Sequence, residues 1–205
     1  MIHHFPNFVC WKEIYNSYKD VRDLIYIDST LCFLLGILFG KRGHFFPGTK
    51  MAYFLFNEPP EQQYFLLANN IKIINENKKL ILPYKSSFEE DAELLNFIGK
   101  LPYESTLIIG VSSPKQNMLA IYLHSIRPDL RYFCLGAAVG ITWSNKWFNF
   151  NLRGSGFQWV EFLVKQPKRT IIKIYHSTIA ALLVMSSTKD IALFREFINV
   201  SKHSK

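Results

Sequence analysis

Long apolar runs are missing from this sequence. The longest, Leu31–Phe39 and Ile179–Met185, fall far short of the roughly 20 residues that a membrane-spanning helix needs, so no segment is expected to cross a bilayer. The opening residues, MIHHFPNFVCWKEIY, lack a basic stretch leading into an apolar core and a small-residue cleavage site. No secretory signal is read there, and the expected location is cytoplasmic. Cysteine is scarce: Cys10, Cys32 and Cys134 are odd in number and have no C-x-x-C spacing, which argues against a disulfide framework or a zinc site and for buried thiols. The histidines show no H-E-x-x-H spacing, and no Asp-x-Asp pair is present to hold a divalent cation. No metal and no cofactor is therefore expected. Walker, G-x-G-x-x-G and G-x-S-x-G patterns are also lacking, which removes the commonest nucleotide-loop and hydrolase signatures.

Acidic residues are few, 16 against 24 Lys and Arg, leaving a formal charge of +8. Such a balance calls for an anionic partner, whether a nucleotide phosphate, a lipid surface or a nucleic acid. From Glu161 onward eight basic residues (Lys165, Lys168, Arg169, Lys173, Lys189, Arg195, Lys202, Lys205) face only Glu161, Asp190 and Glu196, so most of the net charge is C-terminal. Nucleic acid is the weakest of the three partners, because no RNP-like aromatic motif or helix-turn-helix signature accompanies the charge. What the chain has in abundance is apolar and aromatic surface: 49% hydrophobic residues, with 18 Phe and 10 Tyr among 205 residues. That composition excludes disorder over most of the length and suits one domain with a small appendage.

Short apolar runs suited to buried strands occur at Leu24–Ile27, Tyr64–Leu67, Leu80–Leu82, Thr106–Val111 and Tyr132–Leu135. Helical spacing is found at Pro60–Asn75, Phe88–Ile98 and Asn117–Ile126. In SSFEEDAELLNFIG, Ser87 is the expected N-cap and Gly99 the terminator. Alternating strands and helices predict an α/β, Rossmann-like parallel sheet with helices on both faces, over residues 1–166. After Pro167 the pattern becomes two helices broken near Ser186–Ser187, a basic helical C-terminal appendage over 167–205. Gly36–Gly48 is the expected mobile loop.

In sheets of this kind ligands bind where strand carboxyl ends lead into helices, which directs attention to three strand ends. Asp28 follows LIYI, where it can cap the helix STLCFLLG or face a ligand crevice. After TLIIGV, Ser112, Ser113 and Pro114 suit a helix start whose free N–H groups, with Lys115 beside them, form an anion site; an ordinary capped helix explains the same residues. Gly136 and Gly140 after YFCL allow a backbone to approach a base or sugar closely, and turn chemistry explains them equally well.

Taken in order, these segments resemble the WecG/TagA/CpsF family of bacterial glycosyltransferases. The family's strand followed by Gly-x-Pro-Lys-Gln-Glu is similar to Ser112-Ser113-Pro114-Lys115-Gln116-Asn117, and its Gly-rich segment is similar to Leu135–Gly140. Its Gly-Leu-Glu-Trp with a downstream Pro-x-Arg is similar to Gly156-Phe157-Gln158-Trp159 and Pro167-Lys168-Arg169. Upstream, IYIDS resembles a strand ending in Asp-Gly, and FFPGTKM retains Gly48 from an Arg-x-x-Gly-x-Asp region. The resemblance implies metal-independent, inverting transfer of a sugar from a nucleotide-sugar, a UDP-hexosamine or related donor, to a lipid-diphosphate-linked saccharide. The setting it implies is surface polysaccharide assembly (teichoic acid, enterobacterial common antigen, capsule or exopolysaccharide), with the protein peripheral on the inner face of the cytoplasmic membrane. It places Asp28 as catalytic base and puts Ser113, Lys115, Gln116, Gly136, Ala137, Gln158, Lys168 and Arg169 at the substrate. Family members associate, so a homo-oligomer is a further partner state.

The sequence departs from the pattern at several positions: Ser29 and Ser112 replace Gly, Asn117 and Gln158 replace Glu, and Phe45 stands near the family's arginine. Such changes fit a different donor or acceptor. They also fit a catalytically inactive nucleotide-sugar-binding or scaffold member of a polysaccharide assembly complex.

Overall fold

The computed structural model describes residues 2–4, 24–25, 30–39, 48–57, 62–68, 78–82, 91–112, 115–136, 138–139, 160, 163–164 and 167–200. In chain order its elements are β1 (Ile2–His4), β2 (Leu24–Ile25), α1 (Thr30–Leu38), α2 (Gly48–Asn57), β3 (Gln63–Leu67) and β4 (Lys79–Ile81). There follow α3 (Ala92–Gly99), β5 (Thr106–Gly110), α4 (Lys115–Ile126), β6 (Arg131–Cys134), α5 (Pro167–Met185) and α6 (Thr188–Val200). Contacts divide the chain into two units, residues 1–4 with 51–145 and residues 5–50 with 146–205.

In the first unit, strands lie side by side in the order β1-β6-β5-β3-β4, and every adjacent pair is parallel. The fold is α/β and Rossmann-like. Strand β5 holds the centre, with Ile108 opposite Phe65 on one side and Phe133 on the other. Because parallel strands need crossovers, both faces of such a sheet are covered, and Thr106 through Ile109 are all buried. On one face Leu66, Leu107, Ile109, Tyr132 and Cys134 pack with Leu94 and Ile98 of α3 and with Leu119, Ala120 and Leu123 of α4. Alternation turns Phe65, Ile108 and Phe133 to the other face. There Phe56 of α2 stacks on Phe65 at 5.9 Å, and the Gln63 side-chain amide donates to the Leu55 carbonyl at 2.6 Å. Each fully buried Leu or Ile contributes about 1.5–3 kcal/mol through removal of its apolar surface from water.

All five expected strands are present, with ends shifted by a residue or two. The helical reading of Pro60–Asn75 is overturned: Gln63–Leu67 is strand β3, since β-branched neighbours and burial on both faces outweigh local helical spacing. Strand β1 and helix α2 were not anticipated. The expected loop Gly36–Gly48 is helical at both of its ends, Gly36 lying inside α1 and Gly48 opening α2. Helix α3 starts later than expected. Its cap is Asp91, with extended backbone and a side chain accepting from Leu94 N at 3.0 Å; Ser87 lies outside the described residues. Gly99 ends the helix as expected.

A single guanidinium takes one carbonyl from the last turn of α3 and one from just beyond the helix. Arg127 donates through Nη1 to Ile98 O (2.8 Å) and through Nη2 to Leu101 O (3.1 Å), while Nε and Nη2 grip both oxygens of Asp129 at 2.8 and 2.7 Å. The Tyr132 hydroxyl lies 2.9 Å from Leu123 O and 2.8 Å from Arg127 O, its one proton serving one acceptor at a time. Burial pushes that phenol well above its ordinary range.

In the second unit, α1, α5 and α6 enclose a separate core of Leu35, Ala181, Val184, Phe194, Phe197 and Ile198. Phe194 stacks with Phe197, and Phe39 meets Phe194 edge-on, each at 6.1 Å. The break between α5 and α6 falls where the serines predicted it: Ser187 caps α6, its hydroxyl accepting from Asp190 N at 3.3 Å. These contacts group the C-terminal helices with α1, so the division differs from the expected one at 166/167. Among the described residues no single helix is long and apolar enough to cross a membrane; α5 and α6 together reach that length and composition but are bent by 112°.

The Arg127 clamp should carry measurable stability. Charge-assisted bonds of this kind contribute roughly 1.5–3 kcal/mol, so Arg127→Ala is expected to lower the free energy of urea unfolding by about that amount. The hydrogen bond from Arg127 holds the Asp129 carboxyl below its ordinary value. A depressed carboxyl contributes stability that is fully present above its unfolded value and is lost as pH falls through the folded value. In a pH series of urea melts, the wild type should therefore lose more stability than Asp129→Asn below about pH 4.

Candidate functional site

At the carboxyl edge of the sheet, β5 and β6 end beside one another and the chain turns twice in a small space. Ile109 O accepts from both Leu135 N (3.1 Å) and Gly136 N (3.0 Å), which ends the ladder and turns the chain out of β6. Gly136 takes a positive φ of 52°, a conformation in which a Cβ is strained. Its lack of a side chain also makes room. A Cβ there would stand 3.0 Å from Oε1 of Gln116 and 3.4 Å from Val111 O. Gly110, the last residue of β5, is covered in the same way by Leu67 and Val139.

Helix α4 begins directly after this turn, with Gln116 N bonded to Ser112 O at 3.3 Å. Its first turn supplies Lys115 at the edge and Gln116 toward the sheet. Gln116 is 3% exposed, and its Oε1 has no hydrogen-bond partner among the described residues. Partial desolvation lowers the Lys115 pKa, and the nearby Asp91 carboxylate opposes that shift. The helix N-terminus adds partial positive charge from its aligned peptide dipoles. Together these groups form a small polar corner: a cation, a helix end, a buried amide and a glycine without which the amide could not fit.

The corner thus brings together Lys115, Gln116 and Gly136 of the expected site residues. Ser113, Ala137, Asp28 and Gln158 lie outside the described residues. Lys168 and Arg169 occupy the first turn of α5 in the second unit, where Lys168 is exposed. Of the departures from the family pattern, Ser112 is exposed and Asn117 is 2% exposed on the inner side of α4. Asp91 was missed as a member of this neighbourhood; its position three residues before Leu94 is the capping signal that identifies it. Among the described residues no three His, Cys, Asp or Glu side chains gather as metal ligands.

The protein is thus an α/β, Rossmann-like fold with a polar corner at the carboxyl edge of its parallel sheet. No family model matches the chain, and neither a curated protein nor a solved structure does.

Glycine at 136 should be required where glycine at 99 is not. Gly136→Ala is expected to destabilise by about 1–2 kcal/mol, because it adds left-handed strain to the contact with Gln116. Nothing lies within 4 Å of a Cβ at Gly99, so Gly99→Ala should be neutral or stabilise by up to about 1 kcal/mol. Chemical denaturation of the two variants checks both values.

Proposed function

We propose that the protein is a glycosyltransferase that takes a sugar from a nucleotide-sugar, a UDP-hexosamine or related donor, and transfers it to a lipid-diphosphate-linked saccharide during surface polysaccharide assembly. One observation carries this reading: Lys115-Gln116 and Gly136, which belong to two separate motifs of the resemblance, meet at the carboxyl ends of adjacent parallel strands. In that reaction Asp28 removes the proton from the acceptor hydroxyl as it attacks the anomeric carbon, assistance worth about 10²–10⁴ in rate. Transfer is inverting, and the charge growing on the departing nucleotide diphosphate is met by protein cations at the motif positions. Ser113, Ala137 and Gln158 complete the donor site.

The second unit suits a lipid-linked acceptor. On α5, Ala181 and Val184 face the helical core, while Ile171, Tyr175 and Leu182, spaced along the opposite side, are 57%, 61% and 60% exposed. The same helix begins with Lys168 and Arg169 and continues to Lys173. Basic residues near an anionic leaflet contribute about 1 kcal/mol each, and an exposed apolar face of a helix can lie in the interface. The protein is thereby peripheral on the inner face of the cytoplasmic membrane.

Thermal unfolding across a panel of UDP, GDP, CMP and dTDP sugars tests the donor. A rise in Tm with a UDP-hexosamine is expected, and no shift with any member would sink the reading. For the base, Asp28→Asn should lose at least about a hundredfold in transfer to lipid acceptor; undiminished transfer would show that another group does this work. Flotation with anionic vesicles tests the membrane surface: the triple variant Ile171→Ser, Tyr175→Ser, Leu182→Ser should remain unbound where the wild type floats. Equal recovery would remove α5 from that role.

A further inference from the structure

Helices α3 and α4 both lead back from the carboxyl edge, since each joins strands that run the same way. They lie on one face, burying Leu94 and Ile98 of α3 and Leu119 and Leu123 of α4 in one core. Their far ends are tied together: Arg127, one residue past α4, donates to Ile98 O in the last turn of α3 and to Leu101 O just beyond it. With these ends level, the 12 residues of α4 outreach the 8 of α3 by about 6 Å toward the carboxyl edge. The flexible four-carbon stem of a lysine spans such a distance. Asp91 at the start of α3 and Lys115 at the start of α4 are thus brought near one another, close enough for the carboxylate to act on the ammonium.

Asp91 uses one oxygen as a cap, Oδ1 accepting from Leu94 N at 3.0 Å. That task needs no charge, because asparagine caps a helix as well as aspartate does. What a carboxylate adds is an opposite charge, which holds an ammonium in its charged form where water is partly removed. Around Lys115, Gln116 and Asn117 on α4 and Ser112 beyond β5 are all neutral, so among the described residues Asp91 supplies the charge that acts on it. We propose that Asp91 is a positioning residue for Lys115: one oxygen closes the first turn of α3, and the charge keeps a cation standing at the carboxyl edge. Only what that cation meets, the diphosphate of a nucleotide-sugar, rests on the reading of the previous section.

Asp91→Asn separates the two roles, since it keeps a capping side chain and removes the charge, whereas Asp91→Ala removes both. Competitive acetylation of the unliganded protein across a pH series, read by mass spectrometry, reports where each amine becomes reactive. Without the carboxylate the ammonium gives up its proton at lower pH. The Lys115 midpoint is therefore expected to move down in both variants, raising its labelling at neutral pH by about twofold or more. Glu93→Gln, an exposed acid in the same first turn of α3, should leave it in place. An unchanged midpoint in Asp91→Asn, or an equal move in Glu93→Gln, overturns the inference and leaves Asp91 a cap alone.

Thermal unfolding guards against a trivial cause. Asp91→Asn should stay within about a degree or two of the wild-type Tm, while Asp91→Ala should lose a few degrees. A fall in Asp91→Asn as large as that of Asp91→Ala would make the labelling change a result of a broken cap, and would overturn the inference. Titration with UDP then tests the reading on which its functional part rests: binding should weaken at lower pH in Asp91→Asn than in wild type, following the Lys115 midpoint. A moved midpoint with unchanged UDP binding would reject Lys115 as a diphosphate contact, and the hold of Asp91 on Lys115 would stand.

Discussion

Parallel pairing of β5 with both β3 and β6 is the constraint from which the first unit follows. Parallel neighbours cannot be joined by a tight turn, so each step between them requires a crossover that covers a face of the sheet. Helices α3 and α4 meet that requirement on one side, and their apolar residues fall on the face presented by Leu107 and Ile109. The step from β3 to β4 runs one way across the sheet, while the step from β5 to β6 runs the other. Reversals of this kind are where ligands bind in open α/β sheets. Strand β5 stands at that reversal, and the polar turn after it is therefore at the mouth of the sheet for topological reasons.

The two ends of this sheet are built for different tasks. Below α3, Arg127 and Asp129 satisfy one another and also satisfy two backbone carbonyls, leaving a closed network that fixes one geometry. Closed networks in partly dry surroundings specify structure. At the carboxyl edge the Oε1 of Gln116 is buried with no hydrogen-bond partner among the described residues. Residues that are fully satisfied stabilise, and those that are not are where a ligand can contribute most.

Much of the fold was legible because its strands are continuous apolar runs of the length that a doubly covered sheet requires. TLIIG and YFCL are of this kind, and the helix pair after Pro167 was legible for the complementary reason, its serine break. Strand β1 was hidden because Ile2, His3 and His4 carry no apolar pattern; the strand exists through pairing with β6, a partner more than a hundred residues away. The start of α3 was misread because Ser87 and Asp91 both suit a cap, and only tertiary packing of Leu94 and Ile98 selects the later one. In the candidate site, motif order drew attention to Lys115, Gln116 and Gly136. Their chemistry was less visible, since spacing reveals that a glutamine is present and says nothing of whether its amide is satisfied.

That distinction changes what the corner can recognise. A lysine at a helix N-terminus after a strand suggests phosphate from sequence alone, because both features are positive. Here, however, desolvation lowers the pKa of that lysine, with the Asp91 carboxylate opposing the shift, and the neighbouring Gln116 is buried. Gly136 couples the two motifs sterically, since any side chain at 136 would press on the Gln116 amide.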